Sequence, residues 1–157
     1  MAHLLKIRSL GPDEWRTFRE VRLAALQDAP YAFGSTWKSE KDRSEAEWRQ
    51  AVASRLRFVA IQSERVVGMA AGGESNSTST AALTSLWVEP ASRGGGVGDQ
   101  LVVAVLAWAK TAGFSQVLLW VTEGNSHAEA LYERNGFIRT GEVIDKPRRE
   151  FEMSVEL

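Results

Sequence analysis

The sequence predicts an α/β (α+β) fold in which a mixed, mostly antiparallel sheet of six to seven strands is flanked by four helices. Hydrophobic patterns of strand and helix type alternate in the order strand, two helices, three strands, helix, strand, helix, two strands. The 157 residues are 44% hydrophobic and 25% charged, which suits one domain with one substantial core. We therefore expect a single domain over residues 1–157.

Seven segments have the length and the apolar composition of strands. They cover residues 4–9, 57–62, 66–73, 81–88, 117–122, 137–143 and 151–156. The polar residues 62–65 separate the second segment from the third, and this spacing predicts a hairpin between them.

Two helices are predicted in the first third of the chain. The first begins at residues 11–14, where Pro12 suits an opening turn, and Trp15 starts its apolar stripe. The second begins at Ser44, which forms a capping box with Glu47 and precedes an apolar stripe that includes Trp48.

Two further helices are predicted in the second half. One runs from about Val97 to Ala112, and Gly113 supplies a left-handed stop. The other begins with a capping box formed by Ser126 and Glu129 and ends at residues 135–136.

Composition argues against several classes of protein. A net charge of −1 gives no basic face for nucleic acid, and the longest apolar run, residues 101–109, is too short to span a bilayer. With no cysteine, the chain has no disulfides and no thiol nucleophile, and its two histidines, His3 and His127, lie far apart. We expect a cytoplasmic protein without metal, nucleic acid or membrane partners, and leave a homodimer open.

The segment between the fourth strand and the third helix, residues 86–98, is the most informative. Four glycines occur in five positions, Gly94 to Gly98, directly before a helix. Backbone N–H groups at a helix N-terminus attract anions, so the turn predicts a site for a pyrophosphate rather than a plain flexible connection. Gly98 is followed by Asp99 and Gln100, which excludes a P-loop, and the spacing does not fit G-x-G-x-x-G.

The arrangement Arg93-x-x-Gly96-x-Gly98 resembles the acetyl-CoA signature of the GCN5-related N-acetyltransferase (GNAT) family. Residues 125–137 are similar to that family's N-x-x-A-x-x-L-Y-x-x-x-G-F segment, and the order of elements matches along nearly the whole chain. The resemblance implies a GNAT-like acyl-CoA N-acyltransferase fold that forms a single N-acetyltransferase domain. It also implies acetyl-CoA as cosubstrate and direct transfer of acetyl to an unidentified amine.

The resemblance also implies which residues bind the cofactor. The turn holds the pyrophosphate, mainly through backbone amides, and comprises Arg93, Gly94, Gly95, Gly96, Val97, Gly98 and Asp99. Backbone groups of Leu86, Trp87 and Val88 bind the pantetheine arm, and the Val88 N–H donates to the thioester carbonyl. Asn125 reaches the cofactor's amide arm. Tyr132 lies near the sulfur and returns a proton to the thiolate, the alternative being a half-buried packing role.

A general base is not evident from the sequence. Many relatives place a Glu in the strand before the Asn, but Trp120 stands in the equivalent stretch here. The candidates are Glu74, Glu123 and Glu40, although each is more readily interpreted as a solvated surface carboxylate, and a chain of waters is a further alternative. His127 is interpreted as an exposed residue in a first helical turn.

The six tryptophans divide into two predicted groups. Trp15 and Trp48 lie on helical core stripes, whereas Trp37, Trp87 and Trp120 are candidates to line an acceptor pocket that would favour an apolar or aromatic amine. Two alternatives to an N-acetyltransferase stay open at this point. They are a non-catalytic acyl-CoA-binding or sensing domain and an O-acyl or longer-chain acyltransferase.

Overall fold

A computed structural model describes residues 4–157, with the side chain of Tyr31 excepted; His3 lies outside the described residues. The strands are β1 Lys6–Ser9, β2 Leu56–Gln62, β3 Arg65–Glu74, β4 Thr80–Val88, β5 Gln116–Thr122, β6 Ile138–Ile144 and β7 Glu150–Glu156. The helices are α1 Trp15–Asp28, α2 Trp37–Glu40, α3 Glu45–Ala53, α4 Val97–Thr111 and α5 Ser126–Arg134. Single turns of 3-10 helix cover Pro30–Ala32 and Pro90–Ser92.

The seven strands form one mixed sheet in the order β1-β2-β3-β4-β5-β7-β6. Antiparallel ladders join β1 to β2, β5 to β7 and β6 to β7, whereas β4 and β5 are parallel, with Thr80 opposite Gln116. A parallel pair needs a crossover, and α4 provides it. The predicted fold class and strand number are confirmed.

The hairpin between β2 and β3 is also confirmed. Its two turn residues, Ser63 and Glu64, have φ values of 54° and 63°. Two left-handed residues in succession form the turn type whose twist matches that of the flanking strands.

The four predicted helices are α1, α3, α4 and α5, and α2 is an additional single turn. The capping box of Ser44 and Glu47 is confirmed at α3. The prediction that Pro12 opens the first helix is wrong, because α1 begins at Trp15. The preceding residue, Glu14, accepts hydrogen bonds from the Arg8 side chain and from the Gly11 amide.

The predicted capping box of Ser126 and Glu129 is wrong as well. Asn125 caps α5 instead, because its Oδ1 accepts a hydrogen bond from the Ala128 amide at 3.3 Å. The Glu129 carboxylate accepts from Arg139 Nε at 2.6 Å, so it is not available to the helix terminus.

The chain divides into two compact units. The first takes in the described chain up to Ala71 together with Ser85–Leu101, and the second comprises Gly72–Thr84 and Val102–Leu157. In the first unit α1 and α3 pack together: Phe18 meets Trp48 edge to face at 5.9 Å in a core that also contains Trp15. The predicted core positions of Trp15 and Trp48 are thereby confirmed.

In the second unit, β5 alternates buried and part-exposed residues, with Val117, Leu119 and Val121 facing the core. The β6 strand is exposed along its whole length. Among residues 4–157, no helix combines the length and the hydrophobicity needed to cross a bilayer.

Candidate active site

The glycine-rich turn connects the end of β4 to the start of α4. Gly94 and Gly96 have φ values of 83° and 85°, a backbone conformation that side chains disfavour. A Cβ placed on either residue would meet no atom within 4 Å, so packing does not exclude a side chain at these positions. The left-handed backbone conformation is what favours glycine here. The first helical hydrogen bond runs from the Gln100 amide to the Gly96 carbonyl at 3.1 Å, and the amides of Val97 and Gly98 precede it. Unpartnered amides at a helix N-terminus attract anions, and anion binding by this turn stays a prediction.

The side chain of Arg93 is bound to its own chain. Its Nε donates to the Val88 carbonyl oxygen at 3.0 Å, and its Nη2 donates to Asp28 Oδ2 at 2.6 Å. The same carboxylate oxygen accepts from Trp87 Nε1 at 2.9 Å. Asp28 therefore joins residues on both sides of Val88, and no sequence pattern gave it a chemical role.

Strand β4 departs from regular geometry three residues before Val88. Ser85 has a φ of 57°, in the left-handed region that non-glycine residues rarely occupy. Its hydroxyl accepts a hydrogen bond from Arg22 Nη1 at 3.3 Å. Leu86, Trp87 and Val88, whose backbone groups are predicted to bind the pantetheine arm, follow Ser85 directly.

Arg22 is itself anchored by Glu40. Its Nε and Nη2 donate to the two carboxylate oxygens at 3.1 and 3.0 Å, and the Glu40 side chain is only 1% exposed. Burial by itself raises the pKa of Glu40, but hydrogen bonds from Arg22 and Ser35, together with the positive charges of Arg22 and Arg43, outweigh it, so the pKa is lowered. The interpretation of Glu40 as a solvated carboxylate is wrong, and an anion held in this way is a poor general base.

The two remaining carboxylate candidates lie at the surface. Glu74 ends β3 and is exposed, and Glu123 is exposed beside Arg149, whose Nε lies 3.5 Å from its carboxylate. His127 is exposed in the first turn of α5, as predicted. The structure holds none of these three side chains in a buried or ordered setting typical of a general base.

Tyr132 and Asn125 belong to the second unit. Tyr132 is 7% exposed, and its ring meets Phe137 edge to face at 5.9 Å. Burial raises the pKa of its phenol, so the hydroxyl keeps its proton into the alkaline range. Tyr132 is therefore more deeply buried than the half-buried packing role predicted as its alternative. Asn125 is the cap of α5, and roles of both residues toward a cofactor stay predictions.

The three tryptophans proposed for an acceptor pocket occupy different environments. Trp87 is 8% exposed and belongs to the core of the first unit, and its place in the lining of an acceptor pocket stays a prediction. Its buried indole N–H requires the partner that Asp28 supplies. Trp37 lies at the surface on α2 and Trp120 is partly buried on β5.

Comparisons with known proteins point to one family of enzymes. A family model described as the acetyltransferase (GNAT) family matches residues 15–137. A mycothiol acetyltransferase of Streptosporangium roseum is 46% identical over 52 residues, which are 33% of this chain and 15% of that protein. The chain thus spans only a small part of the curated relatives that it matches.

Solved structures resemble the whole chain. A GNAT-family acetyltransferase from Streptococcus pneumoniae aligns with a TM-score of 0.78 at 16% identity, covering 98% of this chain and 99% of that one. The yncA protein from Salmonella typhimurium, solved with its cofactor acetyl-CoA, aligns with a TM-score of 0.75 at 17% identity, covering 98% and 94%. At these identities the likeness concerns the fold.

Proposed function

Because this chain belongs to the GNAT family of acetyltransferases, we propose that it is an acetyl-CoA-dependent N-acetyltransferase. The observation that carries the proposal is the turn before α4, where Gly94 and Gly96 have left-handed backbone and open space at their Cβ positions. Backbone amides in that arrangement bind pyrophosphate, and a side chain on either glycine would obstruct it. The described residues thus fit the phosphate-bearing arm of CoA.

The acetyl group passes directly from the thioester to an amine. The chain contains no cysteine that would carry an acyl intermediate. The amine nitrogen attacks the thioester carbon, a C–N bond forms and the C–S bond breaks. The amine proton passes to water or a base, and the leaving thiolate receives a proton. We assign the Val88 amide as hydrogen-bond donor to the oxyanion of the tetrahedral intermediate. A preorganised N–H donor at an oxyanion lowers the activation free energy by several kcal/mol, roughly 3–4 in a well-studied case.

A glycine substitution tests the phosphate site. Gly96→Glu places a bulky anionic side chain on the turn, and Gly141→Glu is its matched control. Gly141 has a φ of 98° and also has no atom within 4 Å of an added Cβ, but it lies in β6. We expect calorimetry to show acetyl-CoA binding weakened at least tenfold, about 1.4 kcal/mol, by Gly96→Glu alone. Equal binding by both variants would contradict the assignment.

Initial-rate kinetics test the transfer itself. A ternary complex gives intersecting lines when acetyl-CoA is varied at several amine concentrations, whereas an acyl-enzyme gives parallel lines. Release of CoA thiol across small-molecule amines, polyamines and peptide N-termini would identify the acceptor class. Acetyl-CoA binding without thiol release from any amine would instead favour a non-catalytic binding domain. The cytoplasmic location stays a prediction, which cell fractionation tests.

A further inference from the structure

Asp28 occupies a place that its own helix does not favour. It is the last residue of α1, where the carboxylate faces the negative end of the helix dipole. A carboxylate in the last turn of a helix is unfavourable toward the dipole, and the two residues that donate hydrogen bonds to Asp28, Trp87 and Arg93, both lie outside that helix. The reason for an aspartate here is therefore to be found in tertiary contacts.

Those contacts converge on one carboxylate oxygen. Asp28 Oδ2 accepts from Trp87 Nε1 at 2.9 Å and from Arg93 Nη2 at 2.6 Å. The first bond satisfies a buried indole, and the second is a short, charge-assisted bond of the stronger class. One side chain at the end of α1 thus fixes residues that lie 59 and 65 positions away in sequence.

Arg93 extends this anchor to the backbone. Its Nε donates to the Val88 carbonyl at 3.0 Å, and the Glu89 amide, at the other end of the same peptide group, donates to the Val67 carbonyl at 2.8 Å. Both polar groups of the peptide that follows Val88 are therefore held. The orientation of the Val88 N–H depends on this peptide and on the fixed Trp87 before it.

We infer that Asp28 is a positioning residue that, through Trp87 and Arg93, holds the Val88 amide in place for acyl transfer. The inference rests on the proposed function. It assigns the Arg93 guanidinium to the scaffold, since two of its nitrogens are already bound within the chain. The pyrophosphate is then held by backbone amides of the turn.

Kinetics separate positioning from cofactor binding. We expect Asp28→Ala and Arg93→Ala each to lower kcat about tenfold, with KM for acetyl-CoA and Kd for CoA within threefold of the wild type. The double variant should be slower by less than the product of the two single effects, because both substitutions remove the bond between Asp28 and Arg93. Asp28→Asn keeps an acceptor oxygen and should restore part of the rate. Asp13→Ala is the matched control: Asp13 pairs with Arg49 at 3.4 Å near the other end of α1.

A second readout does not depend on activity. Hydrogen exchange of the Trp87 indole N–H should accelerate at least tenfold in Asp28→Ala. Hydrogen exchange of the Glu89 amide should accelerate at least tenfold in both Asp28→Ala and Arg93→Ala. Neither exchange rate should change in Asp13→Ala. Unchanged exchange in the Asp28 and Arg93 variants would overturn the inference, as would a CoA affinity that falls more than tenfold in Arg93→Ala. If the exchange results hold but the wild type neither binds nor uses acetyl-CoA, the proposed function alone fails.

Discussion

Replacing Gly68 with alanine would disturb the peptide that the proposed reaction depends on most. Gly68 lies in β3, and a Cβ built on it comes within 2.8 Å of the Trp87 carbonyl oxygen, 3.1 Å of Leu101 Cδ1 and 3.4 Å of Val97 Cγ1. The carbonyl belongs to the peptide group that carries the Val88 N–H. Because this contact is with backbone, the added methyl cannot be accommodated by a change of side-chain rotamer.

The expected cost follows from two opposing effects. Overpacking a core position costs about 1–3 kcal/mol, and Leu101 and Val97 are both buried there. Replacing glycine also restricts the unfolded chain, which returns about 0.4–1 kcal/mol. The net loss in the free energy of unfolding spans about 0–2.6 kcal/mol, and the middle of that range is about 1–2 kcal/mol. For a chain of this length that corresponds to a fall of roughly 2–8 °C in Tm.

Urea unfolding and steady-state kinetics check this expectation together. Gly34→Ala is the matched control, because Gly34 has no atom within 4 Å of an added Cβ and should leave stability unchanged or slightly raised. In Gly68→Ala we expect kcat to fall about tenfold as well, since the displaced peptide carries the Val88 amide. A Gly68→Ala protein as stable and as active as Gly34→Ala would refute the reasoning.

Three further predictions concern charged and titrating side chains. Glu40→Gln leaves Arg22 without its buried counter-ion and should lower the free energy of unfolding by about 3–5 kcal/mol in urea titrations. Hydrogen bonds from Arg8 and the Gly11 amide lower the pKa of Glu14 from 4.5 to about 2, so its stabilising contribution is present above pH 4.5 and is lost as the pH falls toward 2. The urea midpoint should therefore drop less steeply across that window in Glu14→Gln. Because burial raises the pKa of Tyr132, the unfolded chain ionises first as the pH rises above about 10, and Tyr132→Phe should remove that loss of stability. The same variant should lower kcat up to roughly 10²-fold if the hydroxyl protonates the leaving thiolate, and an unchanged kcat where chemistry limits the rate would leave it a packing role.

Strand positions could be predicted from the sequence because burial imposes a period of two. In β5 the buried residues Val117, Leu119 and Val121 alternate with less buried ones, and the predicted segment differs from the observed strand by one residue. Helix α2 has no such signal, since its four residues are shorter than two helical periods. Its formation depends on a capping box of Thr36 and Ser39 and on the burial of Glu40.

Local rules failed where distant residues compete for the same side chain. The spacing of Ser126 and Glu129 fits a capping box, but Arg139 on β6 takes the carboxylate. Likewise, no sequence pattern around Glu40 indicates that Arg22, 18 positions away, will donate hydrogen bonds to its carboxylate. Such outcomes follow from tertiary contacts, which a pattern of neighbouring residues does not encode.

The same limit explains which parts of the candidate site were predictable. The glycines of residues 94–98 indicate a turn with left-handed backbone, and the structure has Gly94 and Gly96 in that conformation, whereas anion binding by this turn stays a prediction. The Val88 amide carries no signature of residue type, because every residue except proline has one. What makes this amide special is the set of groups that fix it. Gly68 allows β3 to approach its peptide, and Asp28 binds Trp87 and Arg93 directly. Where backbone groups carry the chemistry, the side chains that matter are those that fasten the backbone, and a search for acids and bases passes over them.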